Sequence, residues 1–325
     1  MTGLSDSFQR PINYLRISVT DRCNLRCVYC MPPGGIALMA HQDILSYEEI
    51  HRVVEASAEL GINKVRLTGG EPLVRADLTG LIRMLSDIKA IDDISLTTNG
   101  MLLARHAAEL KAAGLRRVNI SLDTLDPEKF RRMTRGGRLD TVLEGIEAAR
   151  ASGLNPVKIN TVVIAGENDD EIGQFALKTV RDGWHVRFIE RMPFNNHDRE
   201  MPAVPAKKLR EYLEPFGELT PASTVGNGPA RYFRLPGATG TVGFITPVSE
   251  HFCTACNRLR LTADGRLRPC LLSDDEIDLR PLLRGGTDSA SLKRLIQQAA
   301  ACKPARHHLA EGSVPQSRPF SQVGG

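Results

Sequence analysis

The run Tyr14-Leu15-Arg16-Ile17-Ser18-Val19-Thr20, followed directly by Asp21-Arg22-Cys23-Asn24-Leu25-Arg26-Cys27-Val28-Tyr29-Cys30-Met31, decides how the rest of the chain is read. The first half is apolar and β-branched, as in a buried strand. The second half sets three thiols within eight residues at the end of that strand. Thiolates at such density call for a metal. Three ligands leave one coordination position open, and open positions are where metal sites do chemistry rather than hold structure. A zinc knuckle with its fourth ligand elsewhere is the plain alternative. The spacing fits it less well, because structural zinc favours Cys-x-x-Cys pairs and four protein ligands.

Outward from this stretch, one theme repeats. Strand patterns cover Tyr14–Thr20, Lys64–Thr68, Asp93–Thr97, Arg117–Leu122, Val157–Val163 and His185–Ile189. Helix patterns lie between them. Ser46 and Glu49 form a capping-box pair opening a helix that runs to about Leu60. Leu78, Leu81, Ile82 and Leu85 mark the next helix, Leu102 to Ala113 a third, Thr141 to Ser152 a fourth, and Asp169 to Asp182 the last. Strands alternating with helices predict parallel strands joined by right-handed crossovers. Six units are too few for a closed eight-fold barrel. They fit a partial barrel or an open doubly wound sheet, and either puts the site at the C-terminal ends of the strands. The cysteine loop falls there.

The theme stops near Met192, and prolines then interrupt long elements. A division near residue 200 therefore separates residues 1–200 from residues 201–325. The second part offers a short helix at Ala206 to Leu213 and short strands at Ala230–Leu235 and Thr241–Ile245. Arg258–Thr262 and Arg266–Pro269 flank Asp264-Gly265, a hairpin signal. Lys303 to Gly325 is rich in Pro, Gly and Ser, as in a flexible tail.

Composition limits the function classes. The chain has 325 residues, 42% apolar and 25% charged, with a formal net charge of +4. This is ordinary for a soluble protein. The small charge argues against a broad nucleic-acid surface but allows a local phosphate pocket. Met1 to Arg10 holds no apolar core of signal-peptide length, and no run approaches a bilayer span. Of seven cysteines, six fall in two groups. Clustered cysteines without an export signal read as metal ligands in a reducing cytoplasm, not as disulfides.

Other loops carry chemistry-bearing residues. Thr68-Gly69-Gly70-Glu71-Pro72 follows the second strand, and paired glycines permit close backbone approach. Thr97-Thr98-Asn99-Gly100 and Ser121-Leu122-Asp123 put polar groups at the next strand ends. Cys253, Cys256 and Cys270 make a second group, again of three, with His251 near enough to complete a zinc ribbon. The other reading is a second iron–sulfur cluster with an open iron. Arg16, Lys64, Arg66, Lys158, Arg187, Arg258 and Arg260 all fall on strand patterns. Strands facing a barrel interior rarely carry arginine without a partner, so several together point to a polyanion such as a phosphate chain.

The cysteine spacing and the Gly-Gly-Glu-Pro loop resemble the radical S-adenosylmethionine (AdoMet) enzymes. With Arg16 through Cys30, Val65 through Leu73, Arg187-Phe188-Ile189-Glu190 and Cys253 through Thr262, the sequence resembles the GTP 3′,8-cyclase family, the molybdenum cofactor biosynthesis A proteins, over nearly its whole length. The closing Gly324-Gly325 matches that family's double-glycine tail, although Phe320-Ser321-Gln322-Val323 departs from the methionine and isoleucine more usual before it.

The resemblance implies an α/β fold: a partial, six-unit β/α barrel with a C-terminal extension closing the open side. It implies two 4Fe-4S clusters, one on Cys23, Cys27 and Cys30 and one on Cys253, Cys256 and Cys270. AdoMet, cleaved to a 5′-deoxyadenosyl radical, would meet Tyr29, Gly70, Ser121 and Met192. GTP would meet Arg16, Lys64, Arg66, Thr97, Lys158, Arg187, Arg258 and Arg260. The reaction implied is cyclisation of GTP to 3′,8-cyclo-7,8-dihydro-GTP, the first step of molybdenum cofactor biosynthesis. It brings an external one-electron donor, cyclic pyranopterin monophosphate synthase downstream, and a homodimer as an allowed assembly, with no nucleic-acid or membrane partner. Two rival readings are a radical-AdoMet peptide maturase and a non-enzymatic zinc-stapled binding protein. Cys302, His307 and His308 are given no role.

Overall fold

The structure is a computed structural model, and it describes residues 3–194, 201–286 and 288–323. The first part of the chain alternates strand and helix, with two helices between the fourth and fifth strands. Its elements are β1 (Tyr14–Ser18), α1 (Tyr47–Glu59), β2 (Lys64–Thr68), α2 (Leu78–Ser86), β3 (Asp93–Thr98), α3 (Leu103–Ala112), β4 (Arg117–Ser121), α4 (Pro127–Thr134), α5 (Leu139–Ala151), β5 (Lys158–Val163), α6 (Ile172–Arg181) and β6 (His185–Glu190). Then come α7 (Ala206–Glu211), β7 (Thr220–Ala222), β8 (Arg231–Arg234), β9 (Thr241–Ile245), β10 (Arg258–Leu261), β11 (Arg266–Arg268), β12 (Ile277–Asp278), α8 (Arg280–Arg284) and α9 (Ser289–Ala301).

Two compact units divide these elements. One holds Met1–Thr97, Ala108–Arg116 and Cys253–Gly325, the other Thr98–Ala107 and Arg117–Phe252. This is a division by packing, and it interleaves along the chain. In the first unit the strand order is β12-β11-β10-β1-β2-β3. The pairs β10–β1, β1–β2 and β2–β3 are parallel, and β10–β11 and β11–β12 antiparallel. In the second unit the order is β4-β5-β6-β9-β8-β7, parallel as far as β9. Neither run closes on itself, so the architecture is α/β with an open sheet.

Local chemistry accounts for the elements. In β1, Leu15 and Ile17 are fully buried, as expected of a parallel strand covered on both faces. In α1, Ser46 accepts from the Glu49 N–H at 3.1 Å and Glu49 reaches back to the Ser46 N–H at 2.7 Å. A cap of this kind contributes about 1 kcal/mol. Ile50, Val53 and Val54 are buried on α1, which packs against α9, where Leu292 and Ile296 are buried.

Several elements differ from the sequence pattern, among them two helices and the C-terminal stretch. The short helix α4 fills the loop after β4, capped by Asp126 with Pro127 in its first turn. The helix α9 occupies thirteen residues where no helix was expected, capped by Asp288. The stretch after Lys303 is not a free tail over its described residues. Arg318 pairs with Asp264 at 2.8 Å and Glu276 at 2.6 Å, and Val323 is 1% exposed. Ion pairs to residues some forty to fifty positions away override the Pro/Gly/Ser composition. Gly324 and Gly325 lie outside the described residues.

Candidate active site

The first cysteine triad begins where β1 ends. Two parallel-strand contacts continue past the sheet as loop-to-loop bonds, from the Gly70 N–H to Thr20 O and from the Glu71 N–H to Arg22 O, both 2.8 Å. The Gly-Gly-Glu-Pro loop therefore lies flat against the cysteine loop. A Cβ on Gly70 would sit 2.3 Å from Arg22 O, and one on Gly69 2.6 Å from Thr20 O. The glycines are needed for backbone against backbone, a reason different from approach to a ligand. Cys27 O accepts from the N–H groups of Cys30 and Met31 at 2.9 and 3.0 Å, which turns the chain and brings Cys30 back toward Cys27. Arg26 braces the loop through Cys23 O at 2.6 Å. Asp21, fully buried, accepts from the Met39 N–H at 2.6 Å. Cys23, Cys27, Cys30 and Tyr29 are all half-buried.

The second triad sits at the other end of the same strands. Cys253–Ala255 is a single 3-10 turn, with the Cys256 N–H donating to Cys253 O at 3.1 Å. The chain enters β10, turns at Gly265 (φ 85°), and returns along β11 to Cys270. Because β10 runs parallel to β1, Cys256 precedes a strand at one end while Cys23 follows one at the other. Tyr14 is level with Arg258, and Ser18 lies four residues further along β1. At about 3.3 Å per residue that is roughly 13 Å, plus the loops.

The donor set suits thiolates. N–H groups of Leu25 and Leu272 each meet a sulfur, Cys23 and Cys270 respectively, at 3.4 Å. Burial alone raises the Cys256 thiol, but Arg258 and Lys303 outweigh it and draw it down to about 7. Burial pushes the Cys253 thiol up, against a hydrogen bond from the His307 backbone. Among the described residues, no three His, Cys, Asp or Glu side chains converge on one point as ligands of a single ion. Thiolates of a multi-iron cluster each bind a different iron and need no such convergence. His251, the fourth zinc ligand considered, is exposed.

Between the triads lies a row of cations. Strand register sets Arg260, Arg16 and Arg66 side by side on β10, β1 and β2, with Ser95 next on β3. The row beside it is Arg258, Tyr14, Lys64 and Asp93. In-register residues of a parallel sheet share a face, so Arg16, Lys64, Arg66, Arg258 and Arg260 come together, and Thr97 is two residues beyond Ser95 on that face. The Thr97 hydroxyl is buried without a hydrogen-bond partner. Arg66 donates to Ser95 Oγ at 3.1 Å and lies 5.6 Å from the Tyr14 ring centroid. Burial, then Arg260, Arg66 and Arg258, push Arg16 well below the ordinary guanidinium value, with Tyr14 opposing. Burial and Arg258 draw Arg260 down to about 10. Like charges are held close here at an energetic cost, which an anion would relieve.

The second unit gathers its own set. Ser121, Asn160, Arg187 and Gly243 form one register row, and Asn119, Lys158, His185 and Thr241 another. Arg187 donates to Asn119 Oδ1 at 2.6 Å. Lys158 donates to Val225 O at 2.5 Å and lies 5.2 Å from the Tyr232 ring centroid. Gly243 leaves room for Arg187, whose Cγ would be 3.1 Å from a Cβ there. Met192 is half-buried just after β6. Two residues without a role in the sequence reading, Arg10 and Lys303, bond the backbone at and beside the second triad.

An open parallel sheet bearing a three-cysteine loop after its first strand defines a radical AdoMet enzyme. Residues 17–178 match the Radical SAM superfamily, and residues 184–309 match Molybdenum Cofactor Synthesis C. The same fold occurs in Streptococcus suis SuiB bound to S-adenosylmethionine, with a TM-score of 0.62 at 16% identity, covering 89% of this chain and 68% of that one. It occurs again in SuiB bound to precursor peptide SuiA, with a TM-score of 0.64 at 14% identity, covering 91% and 66%. Sequence goes further. The chain is 53% identical to a GTP 3′,8-cyclase of Pelotomaculum thermopropionicum, covering 99% of this chain and 100% of the relative. It is 52% identical to one of Heliobacterium modesticaldum, covering 98% and 99%. The chain belongs to the GTP 3′,8-cyclase family.

Proposed function

We propose that the cation rows and the two cysteine triads are the working parts of a GTP 3′,8-cyclase. The chain converts GTP to 3′,8-cyclo-7,8-dihydro-GTP, the first step of molybdenum cofactor biosynthesis, using two 4Fe-4S clusters and AdoMet. The observation that carries the assignment is the register of Arg260, Arg16 and Arg66 on adjacent strands, between a triad at either end. When bound, the clusters and AdoMet supply the one-electron chemistry that starts at C3′ of GTP and an open iron for the guanine.

The remaining work belongs to side chains. We assign Cys23, Cys27 and Cys30 to the first cluster, and Cys253, Cys256 and Cys270 to the second. Arg16, Arg66, Arg258 and Arg260 bind the triphosphate, since guanidinium donates to phosphate oxygens in pairs. Lys64, Thr97, Lys158 and Arg187 complete the nucleotide contacts. Tyr29, Gly70, Ser121 and Met192 position AdoMet. The role of the buried strand face is to hold the nucleotide away from water, where side reactions of a radical would compete. Residues 1–200 form the barrel and 201–325 the region of the second cluster and the Gly324-Gly325 tail. An external one-electron donor feeds the reaction, and cyclic pyranopterin monophosphate synthase takes the product. We place the protein in the reducing cytoplasm, where free thiols persist; no described helix is long and apolar enough to cross a membrane.

The test is iron, sulfide and zinc content after anaerobic reconstitution, followed by turnover of GTP and AdoMet on the same sample. Two clusters per chain with GTP-dependent 5′-deoxyadenosine and a cyclised nucleotide is the expected result. One cluster plus zinc would move the second triad to structure. Turnover that ignored GTP would favour a peptide substrate instead.

A further inference from the structure

Two buried cations outside the nucleotide rows hold the second triad from behind. Lys303 is 4% exposed, and its Nζ donates to Arg258 O at 2.8 Å and Pro269 O at 2.6 Å. Its charge also acts on the Cys256 and Cys270 thiolates. Arg258 follows Cys256 by two residues, and Pro269 immediately precedes Cys270. One ammonium thus ties the Cys256 segment to the Cys270 segment through two carbonyls.

Arg10 acts on the third segment. It is 6% exposed. Its Nη1 donates to Cys253 O at 2.7 Å and Ala305 O at 3.0 Å, and its Nη2 to Pro304 O at 2.7 Å. Asp6 aims it, with Oδ2 at 2.5 Å from Arg10 Nε and Oδ1 accepting from the N–H groups of Phe8 and Arg10. Pro304 and Ala305 adjoin Lys303, so both cations and all three cysteine segments meet in one polar knot.

The two cations differ in one respect. Arg10 has the Asp6 carboxylate against it. The opposite charges acting on Lys303 are the thiolates of Cys256 and Cys270. A buried ammonium is costly unless it faces an anion. Tying two carbonyls together does not by itself require a charge, whereas facing thiolates bound to iron does.

We propose that Arg10 and Lys303 are positioning residues of the second cluster, fixing the spacing of Cys253, Cys256 and Cys270, and that the Lys303 ammonium, held on carbonyls beside Cys256 and Cys270, raises the cluster's reduction potential by its charge. This rests on the reading that the triad holds an iron–sulfur cluster. Hydrogen bonds and charge at cluster sulfurs set such potentials, because the reduced state is the more negative one.

The experiment uses the full-length chain with Cys23, Cys27 and Cys30 all changed to Ala, so that only the second triad can take a cluster. Iron and sulfide content, chelator-driven iron release and an EPR-monitored redox titration are compared for this parent and for Lys303→Met and Lys303→Arg in it. Lys303→Met should lower the reduction constant about tenfold, ~59 mV for one electron, and speed iron release. Lys303→Arg should restore most of the potential, which a merely structural clamp would not do. An unchanged potential in Lys303→Met, in a parent that holds its cluster, overturns the proposal and leaves the cluster reading intact. A parent that takes up no cluster overturns both. If Lys303→Met fails to fold, Lys303→Gln, which keeps N–H donors without charge, decides by the same titration.

Discussion

Changing Gly70 to alanine puts a methyl group into the backbone of the cysteine loop. The new Cβ would stand 2.3 Å from Arg22 O, 2.7 Å from Arg22 C and 2.9 Å from Asp21 O. Cβ contacts under 3.0 Å are essentially never seen, so the Arg22 carbonyl must retreat by about 0.7 Å. That carbonyl accepts from the Glu71 N–H at 2.8 Å, and the adjoining Gly70 N–H holds Thr20 O at 2.8 Å. Losing both bonds costs about 2 kcal/mol, and residual overpacking adds at least ~1 kcal/mol. The expected loss is therefore about 3 kcal/mol, concentrated at the loop that carries Cys23. Urea denaturation of the metal-free chain reads the stability, and iron content after reconstitution reads the loop. Gly70→Ala should lose stability and retain iron at the second triad only. Gly34→Ala, in the same loop with nothing within 4 Å of its Cβ, is the matched control and should be neutral. Stability within about 0.5 kcal/mol of the parent, with full iron content, would refute the claim that this glycine exists for backbone packing.

Three further outcomes are expected. Cys23→Ala should abolish AdoMet cleavage, while Cys256→Ala should leave some uncoupled cleavage without cyclised product; full cyclisation by either variant would sink the two-cluster assignment. Arg260→Ala and Arg258→Ala should each weaken GTP binding about tenfold or more by calorimetry, from the ~1.5–3 kcal/mol of a charged hydrogen bond, and unchanged affinity would remove them from the pocket. Arg318→Ala should open the segment after Lys303 to protease. It should also flatten the acid limb of stability. Burial raises the Asp264 carboxyl, but Arg318 and Thr262 outweigh it and hold it below its ordinary value. That contribution is complete above the unfolded carboxylate pKa, about 3.9, and is lost as pH falls through the lower folded value. An acid limb identical to the parent's would contradict the pairing.

Much of this was legible from local chemistry. The six strands of the repeating theme fall within two residues of their patterns, because buried parallel strands demand β-branched runs whatever surrounds them. The α1 capping box was read from Ser46 and Glu49 alone. The misses have physical reasons. In α9 the buried stripe is Leu292, Ile296, Ala299 and Ala300, half of it alanine, which carries little hydrophobic signal. In α4 the start signals Asp126 and Pro127 were present, but only Phe130 and Met133 mark an apolar face. The tail's anchors, Asp264 and Glu276 for Arg318, are tertiary choices that composition cannot encode. The cations were recognised as a group on the strands, but not as a row. That three of them form a row follows from β10 pairing with β1, a contact that no local pattern announces. Lys303 and Arg10 escaped for the same reason, since each acts through carbonyls distant in sequence.

The pairing of β1 with β10 also sets a schedule. Asn13 and Asn257, which flank the pair and bond each other at 2.9 Å, lie 244 residues apart. At bacterial and eukaryotic synthesis rates of about 5–20 residues per second, the ribosome needs roughly 12–50 s to deliver the second after the first. For that interval the nascent β1 has an open edge, the kind of surface that invites adventitious strand pairing. Arg16 and Arg66 likewise emerge long before Arg260, the third arginine of their row, is made.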